Sequence, residues 1–526
     1  MIFHHTGSMD TYITNKIINS SDRATGGNVG YASTIDIFKL YGESTLKGVA
    51  GTCTLSDGTV RTDLSEVECN AIVGATFNAN LVELSRGLIH FDLDQLKAEI
   101  ETQVDVLNEA SLTIKLVLSD VQGTQVAPAA FSLELCPLTV PFEEGLGDNV
   151  VTFGDSYSAN WLSPSAGSTW STSGGGDDID SAIATQNFVS GLEDLEMDIT
   201  SWVKSYWDAD DLTVTANNGW MLKFTEEDEN DVKSYFVKRF SSRHTRNPML
   251  RPKIVASWES YHEDDHLNFI EGSERKLSVR NFVNGVPTDP PGRLHAHGIR
   301  CRLSWPDLET GTWVRFMREQ LGTVAKVSIA GIEQDGMFEA TLTPNILSAA
   351  DSALGEHLLA SGSLLIQEKW DYIDDTAEQA KLLYSGSLVL HSSSGTTSAA
   401  PTDYRFSLLD VKSIYLSSDK PTVRLFVRDR NLANEPVRIP IQLPSKIISK
   451  AYYQVKDTNN QNILIPFSDQ LDTPNESTRI SRDSEGMYFS FPVSVLPRGR
   501  TYTIDIGYYD RGIRRTWESN LAFKVK

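Results

Sequence analysis

Apolar and polar residues alternate over many short stretches of this chain, and this two-residue period constrains its fold more than any other feature. From residue 112 to 118, Leu112, Ile114, Leu116 and Leu118 are separated by Thr113, Lys115 and Val117. Similar stretches recur near 220–224, 254–258, 300–305, 325–329, 337–342, 364–370, 423–427 and 501–506. Because successive side chains of a strand point to opposite faces, this pattern is typical of half-buried strands. With Gly-, Asn- and Asp-rich turns between the stretches, it predicts an all-β protein of antiparallel sandwiches.

Helical patterns are few. Residues 93–109 have apolar side chains three or four positions apart, and residues 192–207 have room for one short helix. Both patterns predict short helices in the connections between strands, because no regular alternation of strands and helices is visible. A doubly wound nucleotide-binding fold is therefore not expected.

Changes in composition predict the domain boundaries. The chain has 526 residues, enough for several independent cores. Residues 163–178 are rich in Ser and Gly, and we expect a long exposed loop inside the first domain. The pattern becomes acidic after residue 258, and residues 391–402 are rich in Ser, Thr and Ala. We predict a first domain over 1–258, a second over 259–395, a linker over 396–411 and a third domain over 412–526.

The net charge of −23 excludes some classes of partner. A chain this acidic offers no general electrostatic surface to nucleic acid and is repelled by anionic lipid. No apolar run reaches the length of a membrane span, so no membrane insertion is expected. The first residues lack the pattern of a signal peptide, which predicts synthesis in the cytoplasm without export of its own.

Four cysteines are too few for a disulfide scaffold, and none forms a CxxC pair. Cys53 and Cys69 are spaced so that they could face each other across a hairpin. The sequence leaves both the oxidised and the reduced state of this pair open.

The sharpest catalytic pattern is His262-Glu263-Asp264-Asp265-His266, which fits the HExxH motif of zinc proteases. That chemistry needs a helix, so that two histidines one turn apart bind the metal. Here a strand pattern precedes the motif, and aspartates are poor residues for a helix interior. We therefore predict a solvated acidic linker at this position.

Other polar clusters have simple explanations. His295 and His297 would lie on one face of a strand, and we interpret them as exposed histidines rather than a metal pair. The acidic groups Asp177-Asp178 with Asp180, and Asp208 with Asp210-Asp211, lack the spacing of the twelve-residue calcium loop, so solvated loops and a structural calcium both stay open. No nucleophile elbow, P-loop or dinucleotide fingerprint occurs. The sequence predicts no enzyme and no cofactor.

Aromatic residues near the Ser/Gly-rich segment are candidates for binding. They are Tyr157, Trp161, Trp170 and Trp207. An exposed set of this kind stacks on a sugar ring or contacts a partner protein. The alternative is that two or more of them cover the edge of the sandwich.

The first half of the chain resembles DNRLRE-type β-sandwiches, which are carbohydrate-binding-like jelly rolls. The residues that carry the resemblance, in order, are Gly26 to Gly30, Ser85 to Leu93, Ala110 to Leu118, Asn160-Trp161, Asp198 to Val203, Asn218 to Leu222, and Lys238 to Val255. His244 departs from the pattern, which usually has an acidic residue there, and residues 53–70 look like an inserted hairpin. The resemblance implies a jelly-roll-like β-sandwich.

The rest of the chain resembles structural proteins of tailed bacteriophages. The matching segments are residues 258–269, Ala451 to Asp457, Ile465-Pro466-Phe467, Asp483 to Phe489, and Tyr502 to Ile506. The last four are similar to motifs of immunoglobulin-like C-terminal domains in those proteins. The resemblance therefore implies an all-β chain in which a jelly-roll-like sandwich is followed by two immunoglobulin-like β-sandwich domains.

The same resemblance implies a function in the virion. We expect a homo-oligomeric component of the neck, collar, tail or fiber base that is assembled in the host cytoplasm. Its expected partners are other virion proteins, such as portal, adaptor, tail or fiber. The near-neutral last domain is the expected docking module, through Tyr452, Tyr453, Tyr508, Tyr509 and Trp517. The alternative is a protein that recognises a host glycan through the first domain.

Overall fold

A computed structural model describes most of the chain: residues 1–19, 22–41, 51–61, 66–79, 82–123, 126–151, 154, 157–214, 216–231, 233–290, 298–306, 316–345, 352–373, 380–392, 403–430, 445–471 and 475–526. These residues form two compact units. The first unit contains residues 3–102 and 112–256, and the second contains residues 1–2, 103–111 and 257–526. The second unit therefore includes both the middle and the last of the predicted domains.

The first unit is a β-sandwich with short helices between strands. Its strands are β1 (Ile2–Thr6), β2 (Met9–Thr14), β3 (Ile17–Asn19), β4 (Asp22–Arg23), β5 (Thr34–Tyr41), β6 (Gly51–Thr54), β7 (Val60–Arg61), β8 (Thr76–Ala79), β9 (Val82–His90), β10 (Thr113–Leu118), β11 (Phe131–Pro137), β12 (Ala184–Phe188), β13 (Leu195–Asp198), β14 (Trp220–Phe224), β15 (Tyr235–Ser241) and β16 (Lys253–Ser257). Its helices are α1 (Glu66–Asn70), α2 (Leu93–Ile100), α3 (Thr200–Trp207), α4 (Glu226–Asn230) and a 3₁₀ turn (Pro248–Leu250).

Two sheets form this sandwich. The smaller has the strand order β1-β16-β10-β13, and the larger has the order β12-β11-β14-β9-β5-β15, with β2 paired to β9. The alternation predicted for residues 112–118 is confirmed, since Ile114, Leu116 and Leu118 on β10 are fully buried. Only the first half of the helix predicted over 93–109 forms, as α2, since residues 101–109 form turns and irregular backbone. The Asp92 carboxylate caps its N-terminus by accepting from the Gln95 amide at 2.9 Å.

A separate three-stranded sheet, β7-β6-β8, contains the inserted hairpin. Cys53 on β6 and Cys69 on α1 form a disulfide, with their Cα atoms 5.6 Å apart. The pairing that the sequence left open is therefore formed, and it connects the hairpin to the helix that follows it.

The middle region contains β17 (Arg275–Arg280), β18 (Phe282–Val283), β19 (Val286–Pro287), β20 (Ile299–Pro306), β21 (Phe316–Ile329), β22 (Ile332–Leu342), α5 (Ser352–Ser361), β23 (Ser363–Ile373) and β24 (Ala380–His391). Six of these strands form one antiparallel sheet with the order β17-β22-β21-β20-β23-β24. All six contribute to a single core that includes Leu277, Trp370 and, from α5, Leu358. The end of β24 returns beside Ile270, just before β17. The sheet therefore curves around its core.

The last region contains β25 (Tyr404–Leu409), β26 (Ile414–Tyr415), β27 (Thr422–Asp429), β28 (Ala451–Asp457), β29 (Ile463–Ile465), a 3₁₀ turn (Ser468–Gln470), β30 (Ser481–Asp483), β31 (Gly486–Ser490), a second 3₁₀ turn (Val493–Val495), β32 (Thr501–Asp510) and β33 (Ile513–Val525). Two sheets, β25-β27-β31-β30 and β26-β33-β32-β28-β29, form an immunoglobulin-like sandwich. Tyr453 of one sheet stacks on Phe489 of the other, with ring centroids 4.6 Å apart.

These regions confirm the prediction of an all-β chain with sandwich-like and immunoglobulin-like domains. One boundary is corrected. The linker predicted over 396–411 is wrong for residues 404–409, because they form β25 and pair with β27 in the last sandwich. Among the described helices, none combines the length and apolarity that crossing a bilayer requires.

Candidate functional site

The HExxH segment does not form a zinc-protease site. Residues 261–265 are irregular backbone before β17 and not a helix, so the two histidines do not share a helix face. His262 lies with its Nε2 3.4 Å from Ser278 Oγ, whereas His266 is bonded to Asp264 and Glu368. Across the described part of the chain, no three His, Cys, Asp or Glu side chains are arranged to hold a metal ion.

The segment is not a solvated linker either, and that prediction is wrong. Asp264 and Asp265 are only 2–3% exposed. Arg482, on β30, lies 3.1 Å from both Glu263 Oε1 and Asp265 Oδ1. Arg479 also pairs with Glu263, at 2.6 Å. Arginines more than 200 residues away in sequence therefore neutralise Glu263 and Asp265, whereas Asp264 pairs with His266.

His266 lies at the centre of a polar cluster that we call the His266 cluster: Asp264, His266, Ser278 and Glu368. The imidazole Nε2 is 2.9 Å from Glu368 Oε2, and Nδ1 is bonded to Asp264 Oδ1. Ser278 donates its hydroxyl to the other oxygen of Asp264. Trp370 donates its indole N–H to the other oxygen of Glu368.

Opposing effects set the charge of His266. Burial by itself would lower the pKa of the imidazole, but the bonds and charges of Asp264 and Glu368 outweigh it and raise that pKa to about 10. Burial raises the pKa of Asp264, but the bonds from His266 and Ser278 outweigh this effect and lower it. His266 is therefore a cation held between two carboxylates at neutral pH.

This arrangement favours a structural role. A general acid or base works best with a pKa near the operating pH, and His266 titrates far above it. Ser278 donates its hydroxyl proton to Asp264, so the His262 ring, whose Nε2 lies 3.4 Å from Ser278 Oγ, does not receive that proton.

A cleft of about 430 Å³ opens beside the His266 cluster. Its walls include Asp264, His266 and Ser278 of the cluster, together with Arg280, Tyr384 and Arg424. Arg424 donates two bonds to Asp483, at 3.0 and 2.9 Å, and pairs with Glu485 at 2.8 Å. This cleft is not visible in the sequence, since its residues come from four distant segments.

The aromatic platform predicted for the first domain does not form. Tyr157 is 73% exposed, but Trp161, Trp170 and Trp207 are 4–7% exposed. The Ser/Gly-rich segment forms a loop, as predicted, and residues 166–169 and 171–173 are exposed, but Trp161 and Trp170 pack against Ile13 and Met221. Two of the indole N–H groups also have internal acceptors: Trp170 donates to the Asn160 carbonyl at 2.8 Å, and Trp207 donates to the Leu93 carbonyl at 3.0 Å.

Most of the docking surface predicted for the last domain is also buried. Tyr452, Tyr453 and Tyr508 are 2–8% exposed. Tyr453 and Tyr508 contact Phe489 and Phe406 of the facing sheet, and Tyr452, on the other face of β28, donates to Glu476 at 3.2 Å. Tyr509 and Trp517 are half-buried. Tyr509 donates to Asp469 at 2.9 Å, and Trp517 stacks on Phe406. These aromatics stabilise the domain and do not form an exposed patch.

One group of exposed apolar side chains lies on the hairpin of β18 and β19. Phe282, Val283 and Val286 are 54%, 47% and 61% exposed. The signal was present in the sequence as Asn284-Gly285 between valines, a pair typical of tight hairpin turns. Both turn residues have positive φ, 54° and 81°, as such turns require.

The carboxylates in the acidic loops of the first domain accept hydrogen bonds from residues nearby in the chain. Asp178 accepts from the amide and hydroxyl of Ser171, both at 2.7 Å, and is buried. Asp211 accepts from the amide and hydroxyl of Thr213. His295 and His297 lie outside the described residues.

Comparisons with known proteins give no family. No protein-family model matches the chain, and no curated protein sequence matches it. A titin fragment (A168169) is 9% identical, covering 51% of this chain and 97% of the fragment, with a TM-score of 0.15. A DUF4785 family protein from Legionella pneumophila is 9% identical, covering 78% and 82%, with a TM-score of 0.14. The amphioxus IgVJ-C2 molecule is 8% identical, covering 48% and 97%, with a TM-score of 0.12. TM-scores this low carry no argument about this chain.

Proposed function

We propose that the protein is a structural component of a tailed-phage particle, in the neck, collar, tail or fiber base, and that it acts by oligomeric assembly. The resemblance of its second half to phage structural proteins supports this proposal. The residues of that resemblance in the last domain lie on β28, β29, β31 and β32, which build the core of the sandwich. The HExxH segment, residues 262–266, forms internal ion pairs, and this also favours a structural role.

The exposed apolar hairpin at residues 282–287 carries the assembly proposal. Soluble monomers rarely expose adjacent large apolar side chains, and such patches mark surfaces that a partner covers. Phe282, on the first strand of the hairpin, belongs to a residue type that is enriched at protein interfaces.

The base of the hairpin is held in place by hydrogen bonds and ion pairs. The Asn281 amide donates to the Gly336 carbonyl at 2.7 Å, and the Gly336 amide donates to Asp289 at 2.7 Å. Lys326 pairs with Asp289 at 2.9 Å and with Asp335 at 3.0 Å. Asp289 and Asp335 raise the pKa of Lys326, so the cation persists at neutral pH. A tip held in this way loses little conformational entropy when a partner binds it.

Sedimentation of two matched double variants tests this proposal. Phe282→Ser with Val286→Ser removes the apolar tip, and Leu146→Ser with Leu212→Ser changes two side chains that are each 80% exposed in the first unit. We expect the purified wild type and the control to sediment as a defined multimer, and the hairpin variant to weaken its association at least about tenfold. Equal association of all three proteins would contradict the role of the hairpin.

The alternative function is recognition of a host glycan through the first domain. Most of the residues proposed to contact that glycan are not accessible. Three of its four aromatics are buried, so we do not advance it through that domain. We also propose no catalytic activity. The virion location and the virion partners named above belong to the same proposal.

A further inference from the structure

The cleft beside the His266 cluster offers a single cation that is not already paired. Arg280 projects from β17 as an exposed residue and lines the cleft. Within the described chain, no carboxylate forms an ion pair with it. The other two cations of the cleft are occupied, since His266 lies between Asp264 and Glu368 and Arg424 binds Asp483 and Glu485.

The rest of the cleft is suited to hydroxyl groups. Asp483 Oδ1 already accepts from Arg424 and from the amides of Glu485 and Gly486. Asp483 Oδ2 and the Glu485 carboxylate are therefore the acceptors for a ligand, and Ser484 adds a hydroxyl that donates or accepts. Tyr384 is 42% exposed at the wall and offers part of an aromatic face together with its own hydroxyl. Aromatic faces beside polar groups suit ligands that are apolar on one side and polar at the rim.

The charges restrict the ligand further. One unpaired guanidinium favours one carboxylate, which it binds through two parallel hydrogen bonds. The three carboxylates of the walls disfavour a guest that carries two negative charges, such as a phosphate monoester. The volume of about 430 Å³ lies within the range of small-molecule sites.

From these features we infer that the cleft binds an acidic sugar, a uronic acid residue of an oligosaccharide, with its carboxylate on Arg280, its ring against Tyr384 and its hydroxyls on Asp483, Ser484 and Glu485. This inference goes beyond the assembly role and places glycan binding in the second unit, away from the aromatics predicted in the first domain. Because the chain carries a net charge of −23, nonspecific attraction of an acidic glycan is not expected. In an oligomer, several such clefts would add avidity to a weak single site.

Calorimetric titration of the intact protein tests the inference. The probes are a trisaccharide that contains glucuronic acid and the matched neutral trisaccharide that contains glucose. We expect the acidic sugar to bind at least about tenfold more tightly than the neutral one, since only the acidic sugar forms the charged pair. Raising the salt concentration should weaken the binding of the acidic sugar and reduce this difference.

Three variants assign the binding to the cleft. Arg280→Gln should lose about tenfold in affinity for the acidic sugar, whereas Arg498→Gln, which changes an exposed arginine of the same unit, should keep it. Tyr384→Leu should weaken both sugars through loss of the aromatic face. Thermal unfolding of each variant shows whether it is folded.

Several results would overturn the inference: no heat of binding for either sugar, equal affinity for the two sugars, or wild-type affinity in Arg280→Gln. These results are separate from those for assembly, because affinity for a sugar and the mass of the particle are measured independently. If the protein assembles but binds neither sugar, the proposed function stands and the inferred sugar site is wrong.

Discussion

Asp10 in the first unit is buried and His266 in the second is largely buried, and both have raised pKa values, but for opposite reasons. Burial is the largest effect on Asp10 and raises its pKa to about 7, which the nearby Glu144 charge reinforces. Burial opposes the charge of His266 as well, but two carboxylates outweigh it and raise that pKa to about 10. Burial therefore favours the neutral acid in one region, and ion pairing favours the charged base in the other.

The contacts explain this difference. The Oδ2 atom of Asp10 accepts from the Arg243 amide at 2.6 Å, but its Oδ1 has no hydrogen-bond partner among the described residues. The Arg243 guanidinium is directed to Glu144 instead, where it donates two hydrogen bonds. At His266, both ring nitrogens have a carboxylate partner. A buried charge is stabilised only where its partners replace the water it has lost.

The largest expected effect comes from removing the cation of the His266 cluster. His266→Ala leaves Asp264 and Glu368 buried without their shared partner, and we expect it to lower the free energy of unfolding by about 3–5 kcal/mol. Urea unfolding measures this change. His357→Ala, at an exposed position of α5, is the matched control and should change stability by less than about 0.5 kcal/mol. A loss below about 1 kcal/mol in His266→Ala would contradict the ion-pair account.

The pH dependence of the same cluster sharpens the comparison. The pKa of His266 is higher in the folded protein, about 10, than the ordinary value of 6.5. Its stabilising contribution is therefore fully present below pH 6.5 and is lost as the pH rises through 10. We expect the difference in unfolding free energy between wild type and His266→Gln to shrink by about 2–4 kcal/mol across this window. A constant difference from pH 6.5 to 10 would show that His266 is not a paired cation.

Asp10→Asn should change the free energy of unfolding by less than the His266 variants do, and in the opposite direction. The folded protein keeps the Asp10 proton to about pH 7, whereas the ordinary value is 3.8, so wild type loses stability as the pH rises between these values. Asparagine cannot ionise, and we expect the variant to be more stable than wild type by about 1–3 kcal/mol at pH 8 and nearly equal at pH 4. The control is Asp210→Asn, at an exposed position. A destabilised variant at pH 8 would mean that the Asp10 charge is compensated.

Local patterns in the sequence predicted much of the fold. The alternation in β10 and β32 and the apolar spacing of α2 depend on neighbours in the chain, so they are visible without the structure. The burial of residues 262–266 was not visible, because it depends on Arg482, 217 residues away from Asp265. The burial of Trp161 depends on the path of a Ser/Gly-rich loop, whose composition predicts exposure. Short-range patterns reveal strands, whereas candidate sites depend on contacts between distant segments.

The most direct test of the central claim is the mass of the purified protein in solution over a range of concentrations, followed by electron microscopy of the particles. We expect a defined multimer with rotational symmetry, since the proposed assembly role requires symmetric contacts between copies of this chain. A multimer that disappears when Phe282 and Val286 are replaced by serine would assign its interface to the hairpin. A monomer at every concentration, with no tendency to form regular particles, would contradict the account.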